Sequence, residues 1–281
     1  MGTEVISLRF MADHGITCVP SVIAVDPDQH CAVYEYVDGR ELPGKEVTAA
    51  HVDELVHFLA QLQQLGNVPE ATELPEASDA CHSLADILQG IQERLVHLRA
   101  VPKQGRVNID LHSFLTKEFT PVFERLAQAQ DTQAIVPREQ CVLSPSDFGF
   151  HNALELPDGK MTFVDFEYFG WDDPAKMLSD FLLHSAVKIG HELKQHFLDG
   201  ILGTLGMDGQ LVERLGATYP LHGLKWCMIL LNEFVPGGLE RRGFAGKEAS
   251  DRDTICAGQL DKARAMLRKI EGEYECFPYV C

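Results

Sequence analysis

The chain has 281 residues, 45% of them hydrophobic and 23% charged, the balance of an ordinary globular protein long enough to bury a substantial core. Its 24 basic and 42 acidic side chains leave a net charge of −18, which argues against a nucleic-acid backbone or an anionic membrane as main partner and leaves small molecules, cationic ones included. No apolar run approaches the roughly 20 residues of a membrane span, no secretory leader is visible, and the eight cysteines are dispersed without a Cys-x-x-Cys pair, so the expectation is a cytoplasmic protein with reduced thiols.

Glu4 to His14 places Val5, Leu8 and Met11 at helical spacing and predicts a short helix. Two strand-like runs follow, Val22 to Val25 and Cys31 to Val37, divided by Asp26-Pro27-Asp28. From Thr48 onward, Val52, Leu55, Val56, Leu59 and Leu62 form one apolar stripe, closed by an acidic, Pro-containing loop from Asn67 to Glu76. Leu84 to Leu98 reads as another helix, and Leu111 to Leu126 as one that Pro121 is expected to kink. Beyond a hairpin in mid-chain, helices are predicted over Pro174 to Lys188, His191 to Leu202, Leu211 to Ala217, Leu221 to Phe234 and Lys247 to Glu271. The expectation is an α+β protein with a strand-poor piece over residues 1–45 and a mainly helical body over 46–281.

The hairpin carries the chemistry. Ala153 to Leu156 and Met161 to Val164 are apolar runs around Pro157-Asp158-Gly159-Lys160, and Asp-Gly is a strong turn signal. A turn centred on Asp158 and Gly159 pairs Leu156 with Met161, Leu154 with Phe163 and Asn152 with Asp165, all on one side because side chains alternate. Directly opposed residues have Cβ atoms about 4.5–5.5 Å apart. The apolar face therefore ends in an amide and a carboxylate able to reach one cation, with a second carboxylate, Asp147, five residues earlier. Such oxygen donors suit Mg²⁺. Turn and cap roles would explain any one of the three alone; their joint placement is what points to a site.

Other motifs fail on a physical detail. Gly39 to Glu46 nearly spells a phosphate-binding loop, but Glu46 puts a carboxylate where a hydroxyl is needed and would repel phosphates. His191 and His196 are five apart, about 140° around a helix, and cannot share a metal as an i, i+4 pair does. Trp226 and Glu233 on one predicted helix offer a lining for an acceptor pocket, although a tryptophan there is more often plain core.

Asp147 with Asn152 five positions later, the hairpin, Asp165-Phe166-Glu167 and then Gly170-Trp171-Asp172-Asp173-Pro174 together resemble the aminoglycoside phosphotransferase and choline kinase-like family, which has a protein-kinase-like fold. The likeness runs from Glu4 to about Phe234. It implies ATP-dependent phosphate transfer to a hydroxyl of a small-molecule acceptor. By that resemblance Asp147 accepts or orients the acceptor proton, Asn152 and Asp165 hold Mg²⁺ on the ATP phosphates, and Glu167 supports or joins the metal shell. The main chain of Glu35, Tyr36 and Val37 would bond adenine, and Glu4 would be the helix glutamate that pairs with an ATP-binding lysine. Asp147-Phe148-Gly149 spells the kinase metal triplet, yet it precedes the hairpin, where the base belongs.

The departures lie mostly in the N-terminal part. The first lysine is Lys45, after the hinge, and no glycine-rich loop precedes it. Each such charge-assisted phosphate contact is worth about 1.5–3 kcal/mol. Pro145 replaces the family's histidine two residues before the base, which leaves open how the loop is braced. Met177 replaces an aspartate, which leaves open how the next helix is anchored. Three expectations follow: an active ATP- and Mg-dependent kinase whose true start lies upstream, a weakly active or inactive member that binds a nucleotide or small molecule, and a helical interaction protein without a site.

Overall fold

The computed structural model describes residues 2–128, 135–204, 209–238 and 252–279. They form two compact units, Met1–His82 with Val136–Arg214, and Ser83–Ile135 with Leu215–Cys281.

In the first unit, α1 (Thr3–Asp13) buries Val5, Leu8 and Met11, the residues whose spacing predicts it. β1 (Val22–Asp26) and β2 (Cys31–Tyr34) pair antiparallel. The second strand stops short of Val37, and the Glu35 N–H instead donates to the Ser21 carbonyl at 2.9 Å. α2 (Ala49–Leu65) starts at Thr48, whose side chain forms a capping box with His51. Its stripe buries Val52, Leu55, Phe58, Leu59 and Leu62. Phe58 stacks on Phe163 at 4.6 Å and on Phe148 at 5.6 Å between ring centroids, so this helix props both the hairpin and the loop before it.

The hairpin strands β5 (Ala153–Glu155) and β6 (Met161–Phe163) join β3 (Arg40–Glu41) in a three-stranded sheet ordered β3-β5-β6. Their register corrects the expected one: Ala153 pairs with Phe163, Leu154 with Thr162 and Glu155 with Met161. Proline is the reason. A two-residue turn on Asp158 and Gly159 would require an N–H from Pro157 in the first ladder pair, and proline has none. The chain forms a three-residue loop instead. Gly159 N–H donates to Leu156 O at 2.9 Å, Leu156 N–H to Lys160 O at 2.8 Å, and Gly159 takes the left-handed φ of 84°. Asn152 consequently lies opposite Val164, whose N–H donates to its carbonyl at 2.9 Å, and not opposite Asp165.

β4 (Val142–Ser144) pairs with β7 (Gly170–Asp172), and β7 leads into α6 (Pro174–Leu183). Asp173 caps α6 by accepting the Ala175 N–H at 2.9 Å, with Pro174 at its first position. The anchor sought at Met177 is supplied next to it. Lys176 binds Asp172 at 2.7 Å and Asp180 at 3.0 Å, and Arg214 binds Asp173 at 3.0 Å. The helix ends before the expected Lys188, because His184 turns out of it with ψ 126°; α7 (His191–Thr204) follows. Gly44 of the near phosphate-loop motif serves packing, since a Cβ there would lie 2.1 Å from Lys188 O, and Glu46 pairs with Arg40 at 2.8 Å.

The second unit holds α3 (Leu84–Arg99), α4 (Arg106–Ser113), α5 (Thr120–Gln128), the part of α8 (Gly209–Ile229) from Leu215, and α9 (Arg252–Glu273). The predicted Leu111–Leu126 helix is divided by a π-helical turn over Phe114–Phe119. Pro121 cannot donate to Lys117 O and its ring crowds that carbonyl; the wider turn accommodates it, with the Thr120 hydroxyl donating to Leu115 O at 2.6 Å. The helices expected on either side of Pro220 form one, α8. Of the helix expected from Lys247, residues 247–251 lie outside the described residues. Cys276 is disulfide-bonded, against the expectation of reduced thiols, while six cysteines are free. Among the described residues no helix is long and apolar enough to cross a membrane.

Candidate active site

The site grows from the loop between β4 and β5. Ser146 stands at a left-handed φ of 69°, its N–H donating to Ser144 Oγ at 3.0 Å. The buried Phe148 and Phe150 anchor the segment that follows, leaving Asp147 between them and Ser146 partly exposed. Two imidazoles meet its carboxylate: His151 Nε2 lies 2.9 Å and His184 Nε2 3.1 Å from the same Oδ1. The two rings stack at 4.1 Å, 5° from parallel. Burial by itself would raise the Asp147 pKa, but hydrogen bonds and charge from His151 and His184 outweigh it and hold the carboxyl well below the usual carboxylate range. Asp147 is therefore an ionised, aimed acceptor. Asn152 Nδ2 donates to the Asp147 carbonyl at 2.9 Å, which leaves the amide oxygen as its cation-binding atom.

Asp165 reaches the site through its backbone, at a left-handed φ of 67° just beyond the ladder. Its carboxyl is pushed up to about 6, first by burial, then by the negative charges of Glu167, Asp147 and Glu4, with His151 opposing. Glu167, Asp147 and Glu4, the other acids expected from the sequence, thus all lie within electrostatic reach of Asp165. Tyr168 is pushed up to about 12, first by its hydrogen bond to Glu167 and then by burial. Glu4 accepts from the Tyr34 hydroxyl at 3.0 Å, a neutral partner where the resemblance calls for a lysine. The Ser7 hydroxyl lies 3.5 Å from Phe166 O, with Thr3 O and Glu4 O of its own helix closer, at 3.0 Å.

Glu35, Tyr36 and Val37 border a cavity of about 380 Å³ whose other wall includes Leu156, Pro157 and Thr162 of the hairpin. The Glu35 carboxylate accepts from Ser21 Oγ at 2.8 Å and Ser21 N at 3.2 Å, both at Oε2, and its main-chain N–H is itself engaged by Ser21 O. Trp226, half-buried on α8, and Glu233, whose Oε1 accepts from Gln259 Nε2 at 2.6 Å, belong to the second unit.

Sequence reasoning missed His151 and His184. His151 had a local signal, four residues after Asp147 and beside Asn152. His184 had none, because only the end of α6 brings it to the loop.

A sequence model described as the phosphotransferase enzyme family matches residues 2–214. No curated protein matches the chain. Among solved structures, the chain is similar to APH(2")-IIa in its gentamicin complex, with 16% identity, 98% of this chain and 82% of that chain covered, and a TM-score of 0.60. It is likewise similar to a choline/ethanolamine kinase family protein from Mesorhizobium loti, at 17% identity, 98% and 83% coverage and a TM-score of 0.57. Spectinomycin phosphotransferase APH(9)-Ia, in complex with ADP and spectinomycin, shares 12% identity over 94% and 82% of the two chains, with a TM-score of 0.59. These likenesses show an α+β, protein-kinase-like fold over most of the chain.

Proposed function

We propose, because this chain belongs to the phosphotransferase enzyme family, that it transfers the γ-phosphoryl group of Mg-ATP to a hydroxyl of a small, amine-bearing acceptor. The observation that carries the reading is the gathering of Glu167, Asp147 and Glu4 around Asp165, whose carboxyl is pushed up to about 6 by burial and then by their charges. Carboxylates crowded this way beside an amide oxygen fit a hard divalent cation. Bound Mg-ATP supplies the transferable group and the charge that neutralises its oxygens. Asn152, Asp165 and Glu167 would hold the cation. Glu35, Tyr36 and Val37 would offer main chain to the base beside their cavity. In the transfer the acceptor oxygen forms a bond to phosphorus, the bond to the ADP oxygen breaks, and the hydroxyl proton passes to the Asp147 carboxylate. Functionally, residues 1–45 would act as a partial nucleotide lobe with hinge and 46–281 as the catalytic lobe, in a protein working where ATP is present, the cytoplasm. The net charge of −18 favours a cationic acceptor, and gentamicin, spectinomycin and choline/ethanolamine in the names of the similar structures support that class.

The test is Mg-dependent ADP formation by the purified chain across a panel of amino alcohols, aminoglycosides and amino sugars. Acceptor-dependent turnover that Asp147→Ala abolishes is expected; turnover unchanged by that substitution, or absent with every acceptor, would sink the reading. One observation favours a second reading, binding without turnover: Glu4 is engaged by Tyr34 where the resemblance calls for a phosphate-bridging lysine. A Mg-ATP-dependent rise in Tm, lost in Asp165→Ala, with no ADP formed would establish it.

A further inference from the structure

We infer that His184 is the positioning residue that holds the Asp147 carboxylate, through a hydrogen bond whose direction the fold itself determines. The inference rests on the phosphotransfer reading of Asp147 for its purpose, though not for its geometry. His184 leaves α6 with its N–H donating to Asp180 O at 2.8 Å, and the chain then turns, Val187 N–H donating to His184 O at 3.1 Å. Within that turn the Ala186 N–H donates to ring Nδ1 of His184 at 3.1 Å. A ring nitrogen that accepts a backbone N–H carries no proton, so the proton of the neutral ring sits on Nε2. Nε2 is the atom 3.1 Å from Asp147 Oδ1. The turn has therefore selected the tautomer that donates to the carboxylate.

Packing keeps the turn against the loop. A Cβ on Gly149 would lie 2.6 Å from Val187 Cγ2, so any larger residue there would have to displace the turn's valine. His151 adds the second bond to Oδ1 and stacks on the His184 ring. With Oδ1 accepting from both imidazoles, Oδ2 is the atom left to take an acceptor proton. This is the brace that Pro145, unable to replace the family's histidine, left unassigned.

The same three side chains converge within 4.8 Å, as ligands of a zinc ion would. The tautomer argues against that use. Ligation through Nε2 would place the proton of His184 on Nδ1, facing the Ala186 N–H. His151 Nδ1 is buried without a partner, whereas a metal-bound imidazole normally gives its second N–H to an acceptor.

Long-range ¹H–¹⁵N NMR of the full chain reads both ring nitrogens. The expected result is a protonated Nε2 and an unprotonated Nδ1 on His184, unchanged by ZnCl₂. A proton on Nδ1, or a zinc-induced shift of His151 and His184 together, overturns the inference. In turnover assays, His184→Ala is expected to lower kcat about ten- to a hundredfold with the KM for ATP unchanged. His184→Gln, whose amide N–H reaches a similar place, should recover most of that loss; equal loss in both variants overturns the positioning role. A chain that phosphorylates nothing counts against the proposed function, and the inference is then decided by the ring nitrogens alone.

Discussion

Asp165 is the residue where the site's electrostatics are under most tension. It combines a left-handed backbone with a carboxyl pushed up to about 6 by burial and by the acids around it. Asn tolerates a left-handed φ nearly as well as Asp, so Asp165→Asn removes the charge without new backbone strain. The metal-free variant should melt about 1–3 °C above the parent at pH 7.5 and lose the Mg-ATP-dependent stabilisation. The sign of its pH dependence follows from linkage. A carboxyl raised in the folded state destabilises that state as pH climbs from its ordinary value of 3.8 through about 6. The advantage of the variant should therefore be full above pH 6 and vanish near pH 4; an advantage constant across that range would show that repulsion is not its source. Melting curves of both proteins between pH 4 and 8 decide this. Asp165, Asn152 and Asp147 were singled out as one proposed site from residue type and spacing. The histidines that aim Asp147 were not, since a histidine brought in by the end of another helix leaves no local pattern.

At the scale of elements, the hairpin shows how a correct motif can sit in a wrong register. The Asp-Gly signal located the turn, while the missing N–H of Pro157 decided its length and shifted every pair by one. Asn152 instead bonds the Asp147 carbonyl, and Asp165 follows β6 on a left-handed step that alternation along a strand does not report. The start of α6, by contrast, is held by a local ion group, each acid four residues from its cation. Lys176 is buried between Asp172 and Asp180, whose charges hold its pKa well above the usual lysine value although burial opposes them. Lys176→Met should cost about 3–5 kcal/mol by leaving the buried Asp172 without its cation. Urea unfolding should show a lower midpoint at unchanged slope, and adding Asp172→Asn should return part of the loss; a cost under about 1 kcal/mol would mean the ion group is not what anchors the helix.

Across the whole molecule, electrostatics are governed by the net charge of −18. Self-repulsion of that size weakens the compact state and is screened by salt. Raising NaCl from about 20 mM to about 0.3 M should raise Tm by several degrees. The same change should raise the KM for a cationic acceptor, while a KM indifferent to salt would point to a neutral one. Both are read from melting and initial-rate series at fixed pH. The acidic balance thus bears on stability and on the acceptor class together.

What the sequence determined by itself was local: α1, α2 and α3 from apolar spacing, the capping residue Thr48, the hairpin turn, and the Asp147, Asn152 and Asp165 set that marks the family. These are legible because helix period, turn chemistry and metal-ligand type are written within a few residues. The tertiary structure decided what depends on distant partners. It ended α6 at His184, joined Arg40 and Glu41 to the hairpin, and gave Glu4 to Tyr34. Above all it brought His184 to Asp147, because a hydrogen bond across the fold is specified by packing and not by spacing along the chain.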